Sequence, residues 1–278
     1  MPPLSIGFSP CPNDTHIFYA LMHGRIPAPG LEFEQAVLED VETLNTWAMQ
    51  GRLDITKLSY HALGHVLDEY VLLKSGSALG RGCGPLLVAA RSLAPADLRD
   101  GVIAIPGRYT TAAMLLKLFA PESEQLVEMR FDDIMPSIAA GEVDAGVIIH
   151  ESRFTYQGHG LKLVQDLGSW WEKATGCPIP LGGIAARRSL GGDVIRRIEA
   201  AIRDSVRWAN SRPDACMAYI RQHARELEES VIAEHIGLYV NEYSLDLGRE
   251  GMQAVRTFLA KGRAMGMLPA ANMNISLD

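Results

Sequence analysis

His150 closes the apolar run Ala145-Gly-Val-Ile-Ile149, a place that stands a side chain at the edge of a sheet. Histidine titrates nearest neutrality, so at such a position it can take a proton as a general base without a large pKa shift. Glu151 follows directly and could orient the imidazole, although successive residues of a strand point to opposite faces. A second centre is Thr110-Thr111-Ala112, which follows the turn Pro106-Gly-Arg-Tyr109 and opens an apolar helix. The free amides and positive dipole end of that helix favour a carboxylate or phosphate, whereas simple N-capping would occupy one of the threonines. Lys57 ends the short strand Leu53-Asp-Ile-Thr-Lys57, where it either faces the same anion or lies exposed on the surface. Ser59 adds a hydroxyl beside it.

Other reactive side chains lack partners of recognisable spacing. His61 and His65 stand i,i+4 on a predicted helix, but no third ligand and no H-E-x-x-H accompany them, so no metal is predicted. There is no G-x-S-x-G elbow. Cys11 lies near a helix start, where a thiol pKa can fall, yet no histidine–asparagine pair is fixed around it, and packing in its loop is the expectation. Trp170-Trp171 and Phe154-Thr-Tyr156 could line an aromatic pocket, although burial in the second lobe is the expectation. Gly80-Arg-Gly-Cys-Gly84 precedes the strand Pro85–Ala90 rather than a helix, which rules out a dinucleotide-binding loop.

These residues need elements to hold them. Leu4–Phe8 alternates as a strand, Ser9–Thr15 is a proline-stiffened loop, and His16–His23 reads as a helix stopped at Gly24. Leu31–Val37 alternates again, Glu39–Gln50 reads as a helix ended by Gly51, and Leu53–Lys57 as a buried strand. The grammar then repeats. Gly51-Arg-Leu-Asp-Ile-Thr56 is echoed by Gly141-Glu-Val-Asp-Ala-Gly146, and Gly7-Phe-Ser-Pro10 with Thr15 by Ile103-Ala-Ile-Pro106 with Tyr109-Thr-Thr-Ala112. After the strand Gly183–Ala186, residues 192–266 follow a helical period, with Pro213 opening one helix.

Two similar α/β units imply two lobes joined by crossovers near residues 85–92 and 181–187. This is the two-lobed periplasmic-binding-protein type II-like fold, with a cleft and a helical C-terminal third. Residues 1–88 and 185–278 would form the first lobe and 89–184 the second. Ligands of open α/β sheets bind beyond the carboxyl ends of strands, which selects Ser9–Thr15, Lys57–Ser59, Pro106–Ala112 and His150.

Composition bounds the function. The 278 residues are 47% hydrophobic and 21% charged, with net charge −7. That argues against nucleic acid or an anionic membrane as partner, and no apolar stretch is long enough to span a bilayer. Residues 1–15 lack the basic and apolar regions of a signal peptide, and the four cysteines have no C-x-x-C spacing. A cytoplasmic protein with reduced thiols is the expectation.

Six segments together resemble a known family: Ser9-Pro-Cys-Pro-Asn-Asp-Thr15, Leu38-Glu-Asp-Val-Glu-Thr-Leu-Asn45, Thr56-Lys-Leu-Ser-Tyr60, Gly80-Arg-Gly-Cys-Gly-Pro85, Pro106-Gly-Arg-Tyr-Thr-Thr111 and Ile148-Ile-His-Glu-Ser-Arg-Phe-Thr-Tyr156. They are similar to the 1,4-dihydroxy-6-naphthoate synthases of the futalosine route to menaquinone, with Tyr109 where a histidine is also familiar. The resemblance runs from Leu4 to Leu247 and weakens after Gly248. It implies a carbon–carbon lyase that converts cyclic dehypoxanthinyl futalosine to 1,4-dihydroxy-6-naphthoate, needing no metal or organic cofactor. It also implies His150 as proton acceptor, and a pocket at Lys57, Leu58, Ser59, Thr111 and Ala112, with Asn45 nearby. In such a reaction His150 would deprotonate next to a carbonyl, Thr111, Ser59 and helix amides would hold the carboxylate or oxyanion, and ring aromatisation would expel a sugar-derived fragment. Asp14, Glu151 and Tyr239 are the candidates to protonate that fragment. A solute-binding protein for a small carboxylate shares the fold, as does chorismate dehydratase. The strand-end histidine favours an enzyme, and the Ser9 and Ile148 motifs favour the synthase.

Overall fold

In the computed structural model, residues 2–94, 97–224, 228–270 and 274–277 are described. Mostly short strands, buried along the middle of each sheet, build two sheets. The first unit supplies β1 (Ile6–Phe8), β2 (Val37–Leu38), β3 (Ile55–Ser59), β4 (Tyr70–Leu72) and β5 (Ala78–Gly80). The second supplies β6 (Leu86–Ala89), β7 (Ile103–Ile105), β8 (Leu126–Glu128), β9 (Ala145–Ile148) and β10 (Lys162–Asp166). β11 (Ile179–Arg187) then returns to the first sheet, whose order is β2-β1-β3-β11-β4 with β5 also on β11; the second is β10-β6-β9-β7-β8. β1, β3, β7 and β9 are buried on both faces, as strands of parallel sheets between helices are.

The repeat has a physical basis. β1 lies parallel to β3, and β7 parallel to β9, so each unit places the same pair side by side. Gly51 (φ 60°) and Gly141 (φ 73°) both take the left-handed conformation that ends a helix. The aspartate three residues on serves the same bond in each unit: Asp54 Oδ2 accepts from Ser5 N (3.0 Å) and Asp144 Oδ2 from Val102 N (2.9 Å).

The helices flank these sheets. α1 (Pro12–Met22) and α2 (Val41–Met49) belong to the first unit with α3 (Tyr60–Val66); α4 (Asp97–Asp100), α5 (Thr111–Phe119), α6 (Ile134–Ala139), α7 (Ser152–Thr155) and α8 (Leu167–Thr175) to the second. α9 (Gly192–Ser211), α10 (Pro213–His223), α11 (Glu229–Tyr239), α12 (Glu242–Leu245) and α13 (Gly248–Ala264) make the C-terminal third. α9 buries Ile195, Ile198, Ile202 and Val206 at helical spacing against Ile17 and Phe18 of α1. A separate core runs from Leu63 of α3 through Leu115 of α5 to Trp171 and Phe258, whose rings meet edge to face at 5.5 Å. Each such side chain contributes roughly 1.5–3 kcal/mol on burial. None of the described helices is long and apolar enough to cross a membrane.

Three sequence expectations shift. α1 begins at Pro12 rather than His16, because a proline at the first turn has no N–H to leave unpaired. The alternating segment 31–37 ladders only in part: Leu4 exchanges bonds with Glu32 and Glu34, and β2 starts at Val37. The crossovers lie at 81–85 and 176–178, because Leu86–Ala89 already belongs to the second sheet and Ile179–Arg187 to the first. In the first crossover a Cβ on Gly84 would stand 2.3 Å from Gly168 Cα, so the glycine allows two backbones to touch. Arg153 holds this segment by donating to the carbonyls of Gly82 (2.7 Å) and Gly84.

Candidate active site

The ends of β1, β3 and β11 from one sheet and β7 and β9 from the other converge on a cavity of about 650 Å³, counting space open to solvent. Ser9, Asp14, Lys57, Ser59, Thr110, Thr111, Ala112 and His150 all line it. Its anion-holding end is the start of α5. Thr110 caps the helix, accepting from Ala113 N (3.2 Å) and donating to Gly107 O (2.7 Å). Thr111 Oγ1 donates to Leu181 O (2.6 Å) and accepts from Tyr60 N (3.1 Å). Both threonine hydroxyl protons are therefore committed to the protein. What the helix offers an anion is the main-chain N–H of Thr111 and Ala112, which as its first residues have no intrahelical acceptor.

Ser59 supplies the hydroxyl. Asn45 Oδ1 accepts from Ser59 N (2.9 Å), which fixes the amide so that Asn45 Nδ2 donates to Ser59 Oγ (3.2 Å) and Glu42 Oε2 (2.9 Å). With Oγ accepting from Asn45, the hydroxyl proton of Ser59 is free to point into the cavity. Asn45 thus stands behind the wall. Leu58 is fully buried in the hydrophobic core and does not reach the cavity, because its strand neighbours Lys57 and Ser59 occupy the opposite face. Glu42 Oε1 also accepts from Tyr109 N (2.9 Å), joining α2 of the first lobe to the loop before α5 of the second. Burial pushes its carboxyl up to about 6, against the pull of the bonds from Asn45 and Tyr109.

Lys57 is neither exposed nor a free cation. Its ammonium pairs with Asp14 Oδ1, and both residues are buried. Asp14 accepts in addition from Ser9 N (3.2 Å), Ser9 Oγ (2.8 Å) and Asn13 Nδ2 (2.8 Å), so the pair enters the cavity wall with its charge compensated.

His150 lies beyond the end of β9 with φ 57°, the one non-glycine residue with positive φ among those described. That backbone costs of order 1–3 kcal/mol and persists where surrounding structure imposes it. It also corrects the expectation for Glu151. The chain has left the strand, and both side chains turn towards Cys11: the three present a sulfur, a ring nitrogen and a carboxylate oxygen within 4.8 Å of one another. Cys11 Sγ lies 3.4 Å from His150 Nδ1. Burial, then Glu151, push the Cys11 thiol well up, so a metal at this cluster would have to displace a tightly held proton. Phe131 meets the His150 ring edge-on at 5.0 Å.

His150 also lines a second, more polar cavity of about 670 Å³ on its other side, walled by Asp40, Thr43, Arg130 and Glu151. The first cavity takes His235 and Tyr239 from α11, and His235 Nε2 bonds Asn13 Oδ1 at 2.9 Å. Nothing in the sequence ties His235 to this place, since helical periodicity explains a buried histidine on α11 equally well. His61 and His65 lie 5.3 Å apart with His61 Nδ1 on Thr110 O, away from the cavity lining. All four cysteines are free; Tyr156 and Trp171 are buried, the latter with Nε1 on Pro178 O, whereas Phe154 and Trp170 are only half-buried.

Residues 4–264 match the family model for menaquinone biosynthesis. A 1,4-dihydroxy-6-naphthoate synthase of Thermus thermophilus is 54% identical over 268 residues, 96% of each chain. That of Streptomyces coelicolor is 47% identical over 273 residues, covering 96% of this chain and 95% of its own. A solved protein of Archaeoglobus fulgidus superposes with TM-score 0.90 at 36% identity, over 95% of this chain and 98% of its own. An alkanesulfonate-binding protein of Xanthomonas axonopodis pv. citri, bound to MOPS, superposes with TM-score 0.71 at 14% identity, over 96% and 94% of the two chains. The last likeness is one of periplasmic-binding-protein fold.

Proposed function

The chain belongs to the menaquinone biosynthesis family, and on that premise we propose that it is a 1,4-dihydroxy-6-naphthoate synthase. As a carbon–carbon lyase, it acts on cyclic dehypoxanthinyl futalosine in the cytoplasm, where free cysteines such as these persist. The aromatic carboxylate of the substrate sits against the Thr111 and Ala112 amides and the Ser59 hydroxyl. Its sugar-derived portion passes His150 into the polar cavity.

His150 is the general base. With Nδ1–H donating to Cys11 Sγ, Nε2 keeps a lone pair for the substrate. It takes a proton next to the carbonyl, and the C–H electron pair enters an enolate that the anion-holding end stabilises. Aromatisation of the new ring then drives the bond to the sugar-derived fragment to break. General-base catalysis of this kind contributes about 10²–10⁴-fold.

The observation that carries this reading is His150 itself, held in a left-handed backbone on the wall shared by the two cavities. The test is naphthoate release from the cyclic futalosine by the protein and by His150→Ala and His150→Asn. A loss of at least about a hundredfold in kcat is expected. Near-normal turnover in a folded variant overturns the base, and tight binding of the futalosine without conversion points to a carrier.

A further inference from the structure

In the lyase reaction proposed above, one proton leaves the ring and one must reach the departing fragment, which carries away the electron pair of the broken carbon–carbon bond. His150 removes the first; the second needs a donor. Two buried polar atoms beside His150 make no hydrogen bond within the described structure although they face each other: Glu151 Oε2 and His235 Nδ1, 4.0 Å apart. Their chemistry is fixed from behind. Asn13 Nδ2 donates to Asp14 Oδ1, so Asn13 Oδ1 faces His235 Nε2, and only an N–H satisfies it. A neutral His235 then carries its proton on Nε2 and turns a bare lone pair towards Glu151. An ionised Glu151 would answer with another. Two acceptors aimed at each other away from water are unfavourable unless a proton lies between them.

We infer that one proton lies in the gap between Glu151 and His235, carried by the Glu151 carboxyl, and that Glu151 is the general acid that delivers it to the departing fragment. Glu151 opens on the polar cavity, where the fragment lies, and His235 lines the other. The His150 and His235 rings stand parallel at 6.3 Å, so base and acid flank the junction of the two cavities. The groups facing the pair are Cys11, His150 and Tyr239, with Lys57, Asp14 and Arg153 beyond them. Burial first, then His150 and Lys57, hold the His235 imidazole against a second proton, so its Nδ1 faces Glu151 as an acceptor.

The step balances. His150 gains the ring proton. The scissile bond breaks with its pair on the fragment, that pair takes the Glu151 proton, and the O–H electrons stay on the carboxylate. An imidazolium and a carboxylate are left side by side, and proton return from His150 to Glu151 resets the site.

The test is the pH dependence of kcat for the wild type, Glu151→Gln, Glu151→Asp and His235→Asn, with 15N spectra of the histidine rings in the unmodified protein. Glu151→Gln should lose about a hundredfold in kcat with little change in KM, and its profile should lack the alkaline limb. Glu151→Asp should recover part of the rate and the limb, and His235→Asn should move the limb to lower pH. The ring spectra should show His235 protonated at Nε2 and accepting a hydrogen bond at Nδ1. Wild-type kcat and an intact alkaline limb in Glu151→Gln would overturn the inference, as would a free lone pair on Nδ1 or a stoichiometric metal bound at Glu151. The spectra need no variant to fold. An inactive wild type would strike at the lyase reading, whereas an active wild type with an indifferent Glu151→Gln strikes only at the Glu151 proton.

Discussion

At the scale of single residues, the candidate site commits hydrogen-bond partners so that selected atoms are left facing the cavity. Asn45 spends its amide on Ser59 and frees the serine proton. Asp14 compensates Lys57, so this lysine stands as half of a buried pair and not as a lone anion receptor. Taking one partner from such a pair typically costs 3–5 kcal/mol, which suits a structural part of the wall. Cys11 stands in the same relation to His150. Cys11 Sγ lies 3.4 Å from His150 Nδ1; in the Nδ1–H tautomer that the proposed base requires, the sulfur accepts and Nε2 is left free, and a hydrogen bond of about 1.4 kcal/mol is worth roughly tenfold in rate. Cys11→Ala should therefore lower kcat about tenfold at constant KM, while Cys11→Ser, which keeps an acceptor, should retain most of it. Steady-state kinetics of the two variants decide the matter, and equal activity in both would remove Cys11 from any role in orienting the base.

Between elements, Glu42 is the joint. It takes Tyr109 N from the second lobe and Asn45 Nδ2 from its own helix, and Gly107, whose Cβ would lie 2.4 Å from the Glu42 side chain, lets the loop approach. Burial raises this carboxyl to about 6 from its ordinary value near 4.5. A group whose folded pKa is raised favours the folded state fully below its unfolded pKa and loses that contribution as pH climbs through the folded value. The stability difference between the wild type and Glu42→Gln should therefore fall between pH 4.5 and about 6 and stay level on either side. Urea unfolding at a series of pH values measures it, and a difference that rises with pH over that window would contradict the assigned cause. Glu42→Gln should also raise KM, because Tyr109 N and Asn45 Nδ2 bond different carboxylate oxygens, and one of these becomes an amide NH2 that cannot accept.

For the whole molecule, the candidate site depends on two sheets held in register. Gly84 and Gly168 touch backbone to backbone beside the first crossover, and Arg153 ties that crossover to α7 next to His150. Gly84→Ala forces a side chain into main chain and should lower unfolding free energy by about 1–3 kcal/mol. Gly158→Ala has open space and should stay within about 0.5 kcal/mol of wild type. Denaturant titration of both variants tests this, and an unperturbed Gly84→Ala would mean that the contact yields freely.

The alternation of units, the G-x-[LV]-D echo and the strand ends were legible because each depends on residues close together in the chain. Periodicity, a left-handed glycine and an aspartate bonding its neighbouring strand are local devices. Those devices pointed to Lys57, Ser59, Thr110, Thr111, Ala112 and His150, which do line one cavity. Asn45 came from family likeness alone, and the structure sets it behind Ser59. Tertiary structure decided which atoms remain free. The pairing of Lys57 with Asp14, the capture of Thr111 by Leu181 and the approach of His235 to Glu151 join residues from separate elements. Hydrogen-bond partners across such distances are set by packing, and no spacing in the chain encodes them.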